Sequence, residues 1–165
     1  MTFTQSKVTA DFIVDCIEKY WSDNYYNTGN DTLIINLDNG PENNSRRSQF
    51  IKRIADFSVN NNIKVILSYY PPYHSKYNPI ERVWGVLEMH WNGSVLDTKE
   101  TVLRFAQNMT YKGFNPKINF SKKTYSCGKK VCKGTIESLE KCITRLDGIE
   151  KWFVVLEPSK IRYSI

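Results

Sequence analysis

The chain has 165 residues, enough for one domain with a buried core. Hydrophobic residues make up 41% and charged residues 24%, which excludes a disordered or fibrous chain, and no apolar run approaches the roughly 20 residues of a membrane span. The opening Met-Thr-Phe-Thr-Gln-Ser-Lys has no apolar signal segment, so a cytoplasmic protein is expected, and the net charge of +6 favours a polyanionic partner without identifying one.

Residues 10–21 place Phe12, Ile13, Cys16, Ile17, Tyr20 and Trp21 at helical spacing, with Asp11 suited to the first turn. Residues 22–31 are rich in Asn, Asp and Gly and read as a loop. Residues 32–38 form a short, nearly unbroken apolar run, the pattern of a strand buried on both faces of a sheet. Residues 45–60 repeat apolar positions at Phe50, Ile51, Ile54, Phe57 and Val59, with Arg46, Arg47, Lys52 and Arg53 on a basic side. Asn60-Asn61-Asn62 closes that helix, and residues 63–70 read as a second strand. The order helix, strand, helix, strand predicts an α/β fold whose two strands are parallel and joined by a helical crossover.

Pro71-Pro72 ends the second strand. Asn78 is a good N-cap, Pro79 suits the first helical position and Glu81 falls at the third. The helix that follows carries Ile80, Val83, Trp84, Leu87 and Trp91 on one predicted face. After Asn92-Gly93, Asp97 is placed to cap a further helix with Val102, Leu103, Phe105, Ala106 and Met109 inward. Residues 112–134 are lysine-rich and without period; a short helix near 135–146 and a strand at 152–156 follow. Of the four cysteines, Cys127 and Cys132 have a gap that a zinc site accepts, but Cys142, His74 and His90 are not spaced to complete it, so reduced thiols are expected.

Two motifs carry chemistry. Asp38-Asn39-Gly40-Pro41-Glu42-Asn43 puts a carboxylate at the end of the first strand, where ligand groups collect in α/β sheets; the alternative is a turn in which Asp38 bonds local backbone amides. Pro71-Pro72-Tyr73-His74-Ser75-Lys76-Tyr77-Asn78-Pro79-Ile80-Glu81 puts a second carboxylate in a first helical turn, where it also serves as a capping residue. Glu42 and Glu88 are weaker candidates. His74 suits a phosphate contact or a proton shuttle, or is an idle loop residue. Arg46, Arg47, Lys76 and Arg82 suit phosphate oxygens, or are surface charge. Tyr69, Tyr70, Tyr73 and Tyr77 suit base stacking, or pack their own loop.

Taken together, Leu37-Asp38-Asn39-Gly40, the basic helix, the short strand and Pro71-Pro72-x-x-Ser75-Lys76-Tyr77-Asn78-x-Ile80-Glu81 resemble the catalytic core of DDE transposases. The likeness is to bacterial insertion-sequence enzymes of the mariner-like group with a Pro-Pro and Asn-Pro-Ile-Glu signature, and Trp91-Asn92-Gly93 extends it. It covers residues 8–110 well and the rest loosely. The resemblance implies a ribonuclease-H-like fold, DNA as partner, and Asp38 and Glu81 as the second and third carboxylates of a triad that holds two Mg²⁺ ions for DNA strand cleavage and transfer.

The pattern departs from the family at its start. The first catalytic Asp is expected on a first strand, yet Asp11 and Asp15 fall on a predicted helix and Asp23 and Asp31 in a loop. The expectation is therefore an incomplete ribonuclease-H-like domain over residues 1–110 that lacks its first strands, with a small, irregular basic extension over 111–165 packed on it. Such a transposase fragment is expected to be inactive alone, with an open sheet edge for an upstream polypeptide segment or another copy. The alternatives are a non-catalytic nucleic-acid-binding or regulatory remnant, and an unrelated α/β interaction domain.

Overall fold

The computed structural model describes residues 1–25, 28–71, 73–74 and 77–162. In chain order the elements are β1 (Thr2–Thr4), α1 (Ala10–Asn24), β2 (Thr32–Leu37), α2 (Ser48–Asn61), β3 (Lys64–Tyr69), α3 (Pro79–Trp91), α4 (Lys99–Asn108), β4 (Asn119–Ser121), α5 (Lys133–Cys142), β5 (Thr144–Arg145), β6 (Phe153–Leu156) and α6 (Pro158–Ile161). They form two compact units. The larger comprises Lys7–Pro72 and Tyr125–Ile165, the smaller Met1–Ser6 and Tyr73–Thr124.

The larger unit is built on a four-stranded sheet in the order β2-β3-β6-β5. β2 and β3 run parallel, Thr32 opposite Lys64 through Leu37 opposite Tyr69, with α2 as the crossover. β6 runs antiparallel to β3, and β5 antiparallel to β6. Among the described residues β2 pairs only with β3, so its outer edge is open.

Local chemistry sets the helix ends. Thr9 caps α1 by accepting from Phe12 N at 3.3 Å. α2 closes on Asn62 at φ 53°, a left-handed residue whose N–H reaches Ser58 O and Val59 O. The buried Ser58 hydroxyl donates to Ile63 O at 2.6 Å and so binds the helix end to the start of β3.

Phe50, Ile54 and Phe57 of α2 are fully buried with Val65 and Leu67 of β3 and Val154 and Leu156 of β6. At about 1.5–3 kcal/mol for each large side chain, this burial is the main force holding the unit together. A polar seam joins α1 to α2. Arg53 meets Asp15 at 2.8 Å, Glu18 at 3.2 Å and Asp11 at 3.8 Å. Lys129 reaches Asp11 at 2.6 Å, and the Tyr125 hydroxyl donates to Asp15 at 2.9 Å.

The smaller unit has its own cluster of Leu87, Ala106 and Met109, with Phe3, Val83, Val86, Trp91 and Ile118 packed around it. β1 and β4 pair in parallel, Phe3 opposite Phe120. Thr98 caps α4 by accepting from Thr101 N at 3.1 Å, the role expected of its neighbour Asp97.

Two further expectations are corrected, and two short strands are added. β2 is not buried on both faces: Leu37 is buried, but Thr32, Ile34 and Asn36 face solvent, and Ile34 is 61% exposed. The helices that contact the sheet cover its other face, so the apolar run marks one buried face and one open one. On α3, Leu87 is buried and Val83 and Trp91 partly so, while Ile80 and Trp84 are exposed. The expected five-residue stripe spans too wide an arc for one small cluster. Finally, β1 and β4 arise in segments without a pattern, because a three-residue strand has too few positions to show one.

Candidate metal centre

The Asp38 turn follows from its sequence. β2 ends at Leu37, whose carbonyl accepts from Tyr70 N at 2.9 Å. Asn39 then adopts φ 63°, a left-handed conformation that Asn tolerates. The chain folds back so that Asp38 Oδ1 accepts from Gly40 N at 3.2 Å and from Asn43 Nδ2 at 2.9 Å. Asp38 is exposed, and its other carboxylate oxygen takes no hydrogen bond among the described residues.

Two details mark this turn as more than a strand end. Asn43 Oδ1 is buried and has no hydrogen-bond partner among the described residues. Its amide nitrogen is held by Asp38, so the orphaned oxygen lies beside the carboxylate. Gly40 also keeps space there: a Cβ on it would stand 3.3 Å from Asn43 Oδ1 and 3.4 and 3.6 Å from the two Asp38 oxygens. A carboxylate and an amide oxygen in one tight turn are hard donors, the type that Mg²⁺ prefers. They fit part of a divalent-metal shell. Among the described residues no group of three or more His, Cys, Asp or Glu side chains is placed to hold an ion.

The turn is supported from behind. Asn44 Nδ2 donates to Gly40 O and Pro41 O, and Asn44 Oδ1 accepts from Arg46 N at 3.0 Å. Arg145 of β5 donates to Ser45 O at 2.9 Å while pairing with Glu140, which ties the turn to the far strand. Tyr69, opposite Leu37, is 4% exposed and its hydroxyl lacks a partner among the described residues. Burial pushes that hydroxyl's pKa well above its usual value, and the charge of Arg145 only partly offsets it. Tyr69 is therefore a core residue and not a stacking platform.

Of the basic candidates near this turn, Arg46 is exposed and lines an open cleft with Arg145 and Lys151. Arg47 instead turns towards Glu42, at 3.2 Å, and precedes α2 without a side-chain cap. Glu42 is thus an ion-pair partner. The other acidic candidates lie elsewhere. Asp11 and Asp15 belong to the α1–α2 seam, Asp23 pairs with Lys19 at 2.8 Å on α1, and Asp31 lies at the opposite end of β2 from Asp38.

Glu81 lies in the first turn of α3 in the smaller unit. Asn78 caps that helix by accepting from Ile80 N at 3.3 Å, and Pro79 occupies its first turn. The Glu81 carboxylate makes no hydrogen bond or ion pair among the described residues, so it does not close a capping box. Arg82 is exposed next to it in sequence, and Glu88 is exposed about two turns further along α3. His74 is exposed and its ring stacks on Tyr77 at 5.7 Å. Tyr73 is 98% exposed at φ 65°. Lys76, like Pro72 and Ser75 of the same motif, lies outside the described residues. Within each unit the sequence candidates cluster as Asp38, Arg46 and Arg47 in one turn, and His74, Glu81 and Arg82 at one helix start. Sequence reasoning missed Gly40 and Asn43 as site residues, although both stand in the motif; only the buried, unpartnered amide oxygen distinguishes Asn43 from an ordinary turn residue.

No curated protein and no solved structure matches the chain. A family model does, over residues 1–158, almost the whole length. With a carboxylate turn at the end of a parallel strand and a second carboxylate at a helix start, the chain belongs to the family described as the Rhodopirellula transposase DDE domain.

Proposed function

We propose that this chain is the DNA-processing part of an insertion-sequence transposase, in which Asp38 and Glu81 are two carboxylates of one Mg²⁺ centre. The observation that carries the reading is the Asp38 turn, with its free carboxylate oxygen, the orphaned Asn43 oxygen and the space above Gly40. DNA is the partner that the family implies, and the family uses a divalent metal. When bound, the metal supplies an activated oxygen nucleophile and neutralises charge on the leaving oxygen. The chain's part is to hold the donors: Asn43 Nδ2 orients Asp38, β2 and β3 fix the turn, and the first turn of α3 presents Glu81. Exposed Arg46 and Arg82 suit backbone phosphates, and His74 and Lys76 are further basic candidates by their place in the sequence of the second motif.

The reading includes a missing ligand. Asp11, Asp15 and Asp23 are engaged in ion pairs and Asp31 stands at the opposite end of β2 from Asp38, which supports a first carboxylate from outside these four. The open edge of β2 suits a further strand that would bring one, supplied by an upstream segment or by another copy. Residues 1–165 alone then bind metal weakly and do not cut DNA.

Titration of the chain with Mn²⁺, followed by electron paramagnetic resonance, tests the centre. Weak binding should be lost in Asp38→Asn and reduced in Asn43→Ala. Binding that survives Asp38→Asn rejects the site. Nicking assays on plasmid DNA test the missing ligand: robust Mg²⁺-dependent cleavage by residues 1–165, abolished by Asp38→Asn or Glu81→Gln, would show that the third carboxylate is already present. DNA binding itself should be largely sequence-independent and fall steeply between low and high salt.

A further inference from the structure

The smaller unit carries an aromatic turn for which the proposed metal chemistry has no use. Tyr111 and Phe114 exchange both backbone hydrogen bonds, Tyr111 N donating to Phe114 O at 2.9 Å and Phe114 N to Tyr111 O at 3.1 Å. Only Lys112 and Gly113 lie between them, at φ 52° and 82°. Two successive left-handed residues are the mark of the tightest hairpin turns, where Asn-Gly or Asp-Gly is usual. Gly113 meets that demand freely. Lys112 does not: a lysine Cβ in this region strains the backbone, so the residue is held there at a cost to folding.

The turn is rigidly mounted. Asn115 Nδ2 donates to Met109 O at 2.9 Å, and Met109 is fully buried. The Tyr111 ring packs on the same small cluster, and Lys112 Nζ lies 5.7 Å from the centre of that ring. Phe114 is left 76% exposed. The turn thus exposes a strained lysine and, two residues on, an aromatic ring with no ring partner among the described residues. The surrounding unit favours an anion, since its segments carry eight Lys and Arg against four Asp and Glu, with Lys117, Lys122 and Lys123 following the turn. A nucleotide offers what both side chains lack, a flat base beside a phosphate.

We propose that the Tyr111–Phe114 turn is a base-stacking contact for unpaired DNA, in which Phe114 stacks on an unstacked base and Lys112 meets the neighbouring phosphate. The inference rests on the DNA reading given above and adds a preference for single-stranded or frayed strands, read through stacking and not through base edges.

Fluorescence anisotropy of the full chain with a labelled 20-mer single strand and with the matching blunt duplex tests it. Phe114→Ala should weaken single-strand binding by about tenfold, a typical loss for one stacked base, and duplex binding by less than about twofold. Phe114→Trp should retain binding, and Phe114→Leu, which keeps bulk without a π-face, should behave like Phe114→Ala. Lys112→Asn keeps a residue that tolerates the left-handed turn and should lower the slope of log affinity against log salt by about 0.7 on the single strand. Thermal melting no lower than that of the wild type confirms that each variant is folded; Phe114 variants should melt as the wild type does, and Lys112→Asn at the same temperature or slightly above, since Asn relieves the left-handed strain. If the wild-type chain binds neither oligonucleotide at low salt, the DNA reading itself fails. If it binds and Phe114→Ala or Phe114→Leu binds equally well, or if both strands weaken alike, the turn is not a stacking contact and the parent reading stands. Loss of self-association in Phe114→Ala without loss of DNA binding would make the turn a protein contact and overturn the proposal.

Discussion

The two carboxylates proposed for the metal centre, Asp38 and Glu81, are held in different ways. Asp38 stands at the end of a strand whose neighbour is packed into the larger core, and its turn is bound by Asn43, Asn44 and Arg145. Glu81 is held by one helix start, with Asn78 as its cap and the exposed Ile80 and Trp84 close along the same helix. One position is fixed by tertiary packing, the other by local helix chemistry alone. The comparison teaches that a pair of candidate ligand motifs legible in sequence need not be equally organised at both ends. A carboxylate mounted on a packed sheet is positioned before any ligand arrives, whereas one on an exposed helix start depends on what the helix meets.

The largest expected effect tests the packed side. Phe57 is fully buried and meets Trp21 edge-on at 6.2 Å. Phe57→Ala should destabilise the chain by about 3–5 kcal/mol in denaturant unfolding, because the cavity adds to the lost burial. A loss below about 1 kcal/mol would mean that the core behind Asp38 is not the rigid mount described.

The charged seam beneath α1 gives a pH signature. Burial alone would raise the Asp11 pKa, but hydrogen bonds from Lys129 and Gln49 and the charges of Lys129 and Arg53 outweigh it, so the carboxyl is held below its usual value. The unfolded chain therefore takes up this proton first. The stability that Asp11 contributes is complete above about pH 4 and is lost as the pH falls through the lower folded-state value. Asp11→Asn should flatten the acid limb of a melting-temperature profile, and an unchanged limb would show that the seam is not linked to folding.

A smaller effect is expected at Gly40. A Cβ there crowds the Asp38 and Asn43 oxygens at 3.3–3.6 Å. Gly40→Ala should leave stability within about 1 kcal/mol while lowering Mn²⁺ affinity, since the strain falls on the donors and not on the core. Equal affinity in Gly40→Ala would show that the open space is not needed for an ion. The smallest effect belongs to the other side of the comparison. Trp84 is 42% exposed, so Trp84→Gln should shift stability by no more than about 0.5 kcal/mol. A shift above 2 kcal/mol would mean that this face of α3 is covered in solution, and that Glu81 is better supported than its helix start implies.

Much of the architecture was open to sequence reasoning because it is written in short-range chemistry. The period of residues 10–21 and 45–60, the apolar runs at 32–38 and 63–70 and the Asn-Pro start of α3 each depend on neighbours within a few positions, and β2 and β3 are parallel as their helical crossover requires. The family likeness rests on the same local strings, and the match over residues 1–158 bears out its DDE-transposase part. What the strings left undetermined was decided by contacts between distant residues. Ile34 and Leu37 look alike in the run, yet one faces solvent and the other the core, because helices cover only one face of the sheet. Ile80, Trp84 and Leu87 share an apolar pattern, but one small cluster buries only Leu87. Thr2–Thr4 pairs with Asn119–Ser121 across more than a hundred residues, a pairing no local pattern encodes. The sequence by itself determined the family, the candidate residues and most of the helices and central strands; tertiary structure decided which apolar faces are covered and which polar atoms, Asn43 Oδ1 above all, are left without a partner among the described residues, since burial is a property of the whole chain and not of any segment.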